Sequence, residues 1–277
     1  MLDNLFFRVY NCKNTNKYIK VVFRLVLVAD IGNTNITLGI YKNDELIFVS
    51  RLATQRHRTS EQYAIELNAV FNLENISGSF EGAVISSVVP ELTRAFKEAI
   101  KKVAKVEPLV VAAGIKNGLK IATDNPKEVG ADLVAGAVGA IAEYTLPCIV
   151  IDMGTATTVS VIDSEGQFLG GSIAAGVMLT LKALSENTSQ LPSINISAPP
   201  SVIGRNTVDC MRSGLILGTA SMIDGLIERI SEELDEIPTV VATGGLSKEI
   251  ITHCKSDIIY NENLLLDGLR EIYEKNK

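Results

Sequence analysis

The sequence predicts an α/β protein of two lobes, each a mixed sheet flanked by helices, arisen by internal duplication. Three observations predict it. One strand–turn–strand unit occurs twice, around Asp30 and around Asp152, 122 residues apart, and a supersecondary unit repeated within a chain marks a duplicated architecture. Short β-branched runs alternate with segments of helical apolar spacing, the order expected of sheets covered by helices. The length, 277 residues, is enough for two modest cores. The expected division is an N-terminal extension over residues 1–24, a first lobe over 25–143 and a second over 144–277.

Residues 1–24 carry charges throughout and lack the unbroken apolar core of a signal peptide. They read as an added strand or arm outside the first lobe, or as the product of an early start codon. Leu25–Tyr41, LVLVADIGNTNITLGIY, is an apolar strand, an Asp30-x-Gly32-Asn33-Thr34 turn and a second strand. Thr59-Ser60-Glu61-Gln62 has capping-box spacing, with Tyr63, Leu67, Val70 and Phe71 following at helical intervals. Gly82–Val89 is a buried strand, Pro90 opens a helix with Leu92, Phe96, Ile100 and Val103 on its apolar face, and Pro108–Ala112 is another strand. Over residues 121–143 Asn125 is expected to cap a helix, Pro126 to take its first position and Glu128 to act as the capping-box carboxylate. Asp132 then lies one turn further on, beyond capping range, among Gly130, Ala131, Ala135, Gly136, Gly139 and Ala140. That small-residue surface admits a helix or a ligand at close range; the alternative for Asp132 is a solvated helix carboxylate.

The second unit, Cys148–Gly171, places Asp152-x-Gly154-Thr155-x-Thr157-Thr158 after an apolar strand, with a second strand leading to Gly170-Gly171. Ala174–Thr188 reads as helix, a polar loop runs through Pro199-Pro200, and Ile203–Ile230 holds a long helix capped near Asn206 or Thr207 and interrupted by Gly214 and Gly218. Thr239–Ala242 is a short strand entering Thr243-Gly244-Gly245, and Leu264–Tyr273 is a closing helix.

Each Asp-x-Gly turn offers a carboxylate at a strand end, a glycine where backbone approaches closely, then hydroxyls and amides. Those groups suit a phosphate and its cation. One such turn carries little, because Asp and Gly favour turns conformationally; two facing each other across a cleft describe a nucleotide site. Thr243-Gly244-Gly245 is a third place where backbone can lie against a nucleotide, or an ordinary strand–helix turn.

Composition narrows the partners. Hydrophobic residues make up 47%, charged residues 21%, and the net charge is −6. No basic cluster exceeds Lys101-Lys102, so nucleic acid is not the expected partner. An acidic protein that handles phosphates needs local cations and backbone amides. Cys12, Cys148, Cys210 and Cys254 have no metal-site spacing and read as free thiols of a reducing, cytoplasmic setting. No apolar run reaches the ~20 residues of a membrane span. The P-loop, G-x-G-x-x-G and H-E-x-x-H patterns are all missing, and two histidines, His57 and His253, give little support to a His-activated nucleophile.

Taken together these motifs resemble the type III pantothenate kinases, of the acetate kinase, heat-shock chaperone and actin superfamily. The likeness runs from about Leu25 to the end of the sequence, over Asp30-Ile31-Gly32-Asn33-Thr34, Ser86-Ser87-Val88-Val89-Pro90, Asn125-Pro126-x-Glu128-Val129-Gly130-Ala131-Asp132, Asp152-Met153-Gly154-Thr155-Ala156-Thr157-Thr158, Gly170-Gly171, Gly204-Arg205-Asn206-Thr207 and Ala242-Thr243-Gly244-Gly245. The resemblance implies two RNase-H-like lobes, a homodimer, and transfer of the ATP γ-phosphoryl group to the primary hydroxyl of pantothenate, the first step of coenzyme A synthesis. It further implies Mg²⁺ and a monovalent cation, K⁺ or NH₄⁺. Asp30, with Mg²⁺, and Gly32, Asn33, Thr34, Gly154, Thr155, Thr157, Gly244 and Gly245 would hold ATP. Asp152 would hold the monovalent cation, Asp132 would be the catalytic base, and Gly130, Ala131, Asp132, Leu133 and Thr188 would meet pantothenate.

The departures fall on the acceptor side. Leu133 stands where the family normally has Arg, Thr123 where Tyr is common, Gly136 where Asn is usual, and Ala175 for the Pro of a Pro-Gly pair. A lost Arg–carboxylate contact is worth roughly 1.5–3 kcal/mol, about one to two orders of magnitude in affinity. Two alternatives therefore stand beside pantothenate phosphorylation: a related kinase with another hydroxyl acceptor, and a non-catalytic nucleotide-binding regulator, against which retention of Asp132 argues.

Overall fold

The structure, a computed structural model, describes residues 24–76, 78–112 and 114–277. Of the expected N-terminal extension only Arg24 falls within them, and Cys12 lies outside.

The first sheet is built around β1 (Arg24–Ile31), whose side chains are buried on both faces as its near-continuous apolar run requires. It pairs antiparallel with β2 (Asn35–Lys42) and parallel with β4 (Ser79–Ser87). β3 (Glu45–Ala53) and β5 (Pro108–Val110) complete the order β3-β2-β1-β4-β5. The second sheet has β7 (Cys148–Met153) at its centre, antiparallel to β8 (Ala156–Ile162) and parallel to β10 (Thr239–Thr243). β9 (Gln167–Ala175) and β11 (Ile259–Tyr260) flank them, with β6 (Lys120–Ile121) added beyond β9, in the order β11-β10-β7-β8-β9-β6. Apart from β6 the two sheets have the same strand order and the same pairing directions. That is the duplication expected from the paired turns, and the chain is two RNase-H-like lobes.

Helices α1 (Ser60–Leu73) and α2 (Pro90–Ala104) cover the outer face of the first sheet, packing Tyr63, Leu67, Phe96 and Ile100 on Leu27, Leu38 and Ile85. The capping box of α1 forms as its spacing predicts, Gln62 N donating to Thr59 Oγ1 and Thr59 N to Gln62 Oε1. On the second sheet α4 (Val177–Asn187), α5 (Thr207–Arg212) and α6 (Gly218–Leu234) do the same, with Leu215 and Ile223 against Ile149 and Ile151. Asn206 caps α5, and the interruption expected near Gly214 is a π-helical turn over Ser213–Leu217. A short helix, α7 (Ser247–Ile251), follows the Thr-Gly-Gly turn.

The inner faces share α3 (Ala131–Glu143) and α8 (Leu264–Asn276). Val134, Val138, Leu269 and Ile272 pack on Val26, Val28 and Val84 of the first sheet, while Ala137, Ala140 and Leu264 pack on Cys148, Val150 and Val241 of the second. The two helices touch at glycine: a Cβ on Gly268 would stand 1.9 Å from Ala135 O, and one on Gly139 would stand 2.4 Å from Leu264 O.

Three sequence expectations are corrected. Asn125 caps no helix: Pro126–Glu128 is a single 3₁₀ turn, Asn125 Nδ2 donates instead to Glu128 Oε1, and α3 begins only at Ala131, after Gly130. Asp132 is therefore in the first helical turn, not one turn further on. The third strand of each lobe, β3 and β9, was absent from the expected order, and Gly170-Gly171 lie inside β9. Among the described residues no helix is long and apolar enough to cross a membrane, and Cys148, Cys210 and Cys254 are free.

Candidate active site

The two Asp-x-Gly turns meet. Thr34 Oγ1 and Thr155 Oγ1, one from each lobe, share a hydrogen bond of 2.8 Å. Gly32 N donates to Asn35 O at 2.9 Å and Gly154 N to Ala156 O at 3.0 Å, so each turn is closed by its own glycine amide. The strand registers are equivalent too. Asp30 faces Thr37 on its antiparallel neighbour and Ser86 on its parallel one, and Asp152 faces Thr158 and Thr243 in the same way.

Between the turns lies a cavity of about 240 Å³. Asp30, Gly32, Asn33 and Thr34 line it from the first lobe, Asp152, Gly154, Thr155, Gly244 and Gly245 from the second, and Asp132 from α3. Thr157 does not. Its side chain is buried, its Oγ1 has no hydrogen-bond partner, and Thr158 lines the cavity in its place. A second cavity of about 340 Å³ is lined by Thr123, Asp124, Glu128, Leu133, Ser160 and Gly170 among others, and shares Thr158 with the first. Gly130 and Ala131 line neither cavity and serve as the cap and first residue of α3. Thr188 also lines neither; at the end of α4 it donates to Leu184 O at 2.8 Å.

The carboxylates of the first cavity perturb one another. Burial, then the charges of Asp132 and Asp152, raise the Asp30 pKa from its ordinary 3.8 to about 7, against a smaller opposing effect of the neighbouring Ser86 hydroxyl. Neither Asp30 Oδ1 nor Ser86 Oγ makes a hydrogen bond of normal geometry, although both are buried. Burial, with Asp132 second, lifts Asp152 to about 6. Asp132 is raised by burial, partly offset by backbone amides, including Leu133 N donating to its Oδ1 at 2.8 Å. A buried acceptor atom without a donor is costly; Asp30 Oδ1 is one, and beside two further carboxyls raised by burial it describes a site suited to positive charge. Among the described residues no three His, Cys, Asp or Glu side chains converge as a metal cluster. A phosphate-bound Mg²⁺ needs no such cluster, since one or two carboxylates with phosphate oxygens and waters suffice.

Gly244 fixes the floor. Its φ is +98°, and a Cβ there would stand 2.6 Å from both Asp152 Oδ1 and Met153 O. Gly244→Ala is expected to cost at least about 1–3 kcal/mol of strain and to weaken nucleotide binding, checked by thermal melting and ATP titration. Unchanged values in both would show that the turn adapts.

Sequence reasoning missed Thr37, Arg51 and Glu262, and named Thr158 and Ser86 only within motifs, with no site role of their own. The two threonines were within reach: folding a hairpin about Gly32–Thr34 puts residue 37 opposite residue 30, and the shorter second turn puts 158 opposite 152. Arg51 and Glu262 come from the missed strand β3 and from the segment after β11, for which no local motif exists.

The model of the type III pantothenate kinase family matches residues 26–229. The chain belongs to that family. Membership carries phosphorylation of pantothenate in coenzyme A biosynthesis. The type III pantothenate kinase of Halalkalibacterium halodurans is 43% identical over 253 residues, covering 91% of this chain and 100% of the relative, and that of an Exiguobacterium species is 41% identical over 254 residues with the same coverage. Solved structures share the fold at low identity. A Baf-family protein from Campylobacter jejuni has a TM-score of 0.58 at 18% identity, covering 90% of this chain and 98% of its own. Component A of (R)-2-hydroxyglutaryl-CoA dehydratase from Acidaminococcus fermentans has 0.53 at 17%, covering 92% and 100%.

Proposed function

We propose that phosphoryl transfer takes place where the two cavities join, ATP phosphates occupying the first and pantothenate the second, with Asp132 as the base. The observation that carries this reading is the shared wall. Thr158 lines both cavities, and the consecutive residues Asp132 and Leu133 line one each. An acceptor in the second cavity would present its hydroxyl towards a carboxylate whose pKa is raised by burial, which favours proton acceptance from an attacking alcohol. The threonine hydroxyls of the two turns, with the backbone amides that do not close those turns, would donate to phosphate oxygens, and alignment with charge neutralisation is most of what this reaction requires of a protein.

The residues fit the two cations. Asp30, with its buried and unpartnered Oδ1, would hold Mg²⁺, and Asp152 would hold K⁺ or NH₄⁺. Bound there, the cations would supply the positive charge that offsets the phosphates and the acidic cluster. Exposed apolar side chains on β9, α4 and the loop before α5 (Ile173, Met178 and Val202) suit a homodimer. In that assembly Thr188, which lines neither cavity of its own chain, would reach the acceptor of a second copy. A cytoplasmic setting accords with the free thiols of Cys148, Cys210 and Cys254.

The test is ATP consumption by the purified chain with and without pantothenate, in K⁺ and in Na⁺. Stimulation by pantothenate in K⁺ is expected. Consumption only with another alcohol would assign a different acceptor, and none at all would leave a nucleotide-binding regulator. No cationic side chain lines the second cavity among the described residues, whereas Asp124 and Glu128 do. Leu133→Arg should therefore lower the KM for pantothenate by about tenfold or more and leave that for ATP unmoved. An unchanged pantothenate KM would refute the assignment of the second cavity.

A further inference from the structure

The phosphate cavity is lined by four carboxylates, Asp30, Asp132, Asp152 and Glu262, and among the described residues by a single cation, Arg51. Arg51 sits on β3 directly opposite Thr37 of β2, itself in the cavity wall. Glu262 belongs to the segment between β11 and α8, and its backbone oxygen accepts from Thr243 Oγ1 at 3.5 Å, beside the Thr-Gly-Gly turn. The two side chains pair across the mouth, Arg51 Nη2 to Glu262 Oε1 at 3.4 Å, and Arg51 Nη1 lies 3.9 Å from where a Cβ on Gly245 would be. One partner belongs to the first sheet and the other to the loops of the second.

This pair is weak by construction. The side chains are 45% and 57% exposed, and exposed ion pairs of this kind contribute little because water screens them and both chains must be ordered. A triphosphate is a stronger partner for a guanidinium, offering several charged oxygens in the bidentate geometry that the planar fork matches. An acidic cavity must also present some positive charge to a polyanion if its affinity is not to rest on bound cations alone.

We propose that Arg51 is a nucleotide-binding residue that exchanges Glu262 for an ATP phosphate, Glu262 acting as the competing anion that occupies it in the empty enzyme. The inference rests on nucleotide entering the cavity between the lobes. Two consequences follow from simple competition. Removing Arg51 removes a charge-assisted contact made only with nucleotide, and removing the Glu262 charge frees Arg51 and tightens binding. The second effect is larger while Arg51 is present, since without it only the relief of repulsion between Glu262 and the phosphates remains.

The experiment is calorimetric titration of the full chain with a non-hydrolysable ATP analogue and Mg²⁺, without pantothenate, for the wild type, Arg51→Gln, Arg51→Lys, Glu262→Gln and the double variant Arg51→Gln/Glu262→Gln. Arg51→Gln is expected to weaken binding about ten- to hundredfold, with Arg51→Lys recovering part of the loss. Glu262→Gln is expected to tighten binding severalfold in the wild type and clearly less in the Arg51→Gln background. Both positions are exposed, and matching melting temperatures will show that the variants fold alike. Equal affinity of Arg51→Gln and wild type overturns the proposal, as does a Glu262→Gln effect that is undiminished without Arg51. A wild type that binds no analogue overturns it together with the assignment of the cavity to ATP. Binding by the wild type with an inert Arg51 overturns it alone.

Discussion

Asp132→Asn is expected to lower kcat by about 10²–10⁴, the usual contribution of a positioned general base, with the KM for ATP within about twofold of wild type. The carboxamide keeps the shape of the side chain and an oxygen to accept the 2.8 Å bond from Leu133 N, so the start of α3 stays intact. What disappears is the ability to take a proton. In the wild type, burial holds the carboxyl above the usual carboxylate range against the pull of the backbone amides, which strengthens it as a base for an alcohol. Steady-state kinetics over both substrates decide the matter. A kcat within threefold of wild type would remove Asp132 from the chemistry.

Asp30→Asn is expected to abolish Mg²⁺-dependent turnover and yet to stabilise the metal-free protein at neutral and alkaline pH. In the unfolded chain the carboxyl releases its proton near 3.8, whereas in the folded, cation-free protein it does so near 7. Between those values the folded state carries a proton that the unfolded state has lost. Stability therefore falls as pH rises across that window, and the full deficit persists above it. Asp152, lifted to about 6, contributes with the same sign. The asparagine variant escapes its part of the deficit. In EDTA at pH 8 it should melt several degrees above wild type, since for a chain of this size each kcal/mol moves Tm by roughly 2–4 °C, and the gap should close towards pH 4. Calorimetric scans from pH 4.5 to 8 test this. A wild type at least as stable as the variant at pH 8 would mean that Asp30 is not a buried charge awaiting its cation.

The elements legible in the sequence were those that bury a whole face or carry local capping chemistry. β1 and β7 read as unbroken apolar runs because both of their faces are covered, and α1 announced itself by Thr59 and Gln62. β3 and β9 did not. They are the third strands of the two lobes, with burial alternating between partial and exposed along most of their length, and β9 carries two glycines that read as a turn. With β3 went Arg51, and with the short β11 went Glu262, so the mouth of the cavity was invisible although its floor was clear. The start of α3 was misplaced for a related reason. Asn125, Pro126 and Glu128 have the composition of a helix start, but the helix can begin only where Gly130 lets Asp132 turn into the cleft, and no local pattern encodes that.

The pairing of α3 with α8 between the sheets has a consequence for synthesis. The inner face of the first sheet, Val26, Val28 and Val84, is roofed by Leu266, Leu269 and Ile272, residues that leave the ribosome long after that sheet can form. Until they arrive, only α3, through Val134 and Val138, can shield that face, and the rest of it stays open to water. A fusion or truncation that perturbs α8 would therefore be felt first in the half of the molecule made earliest.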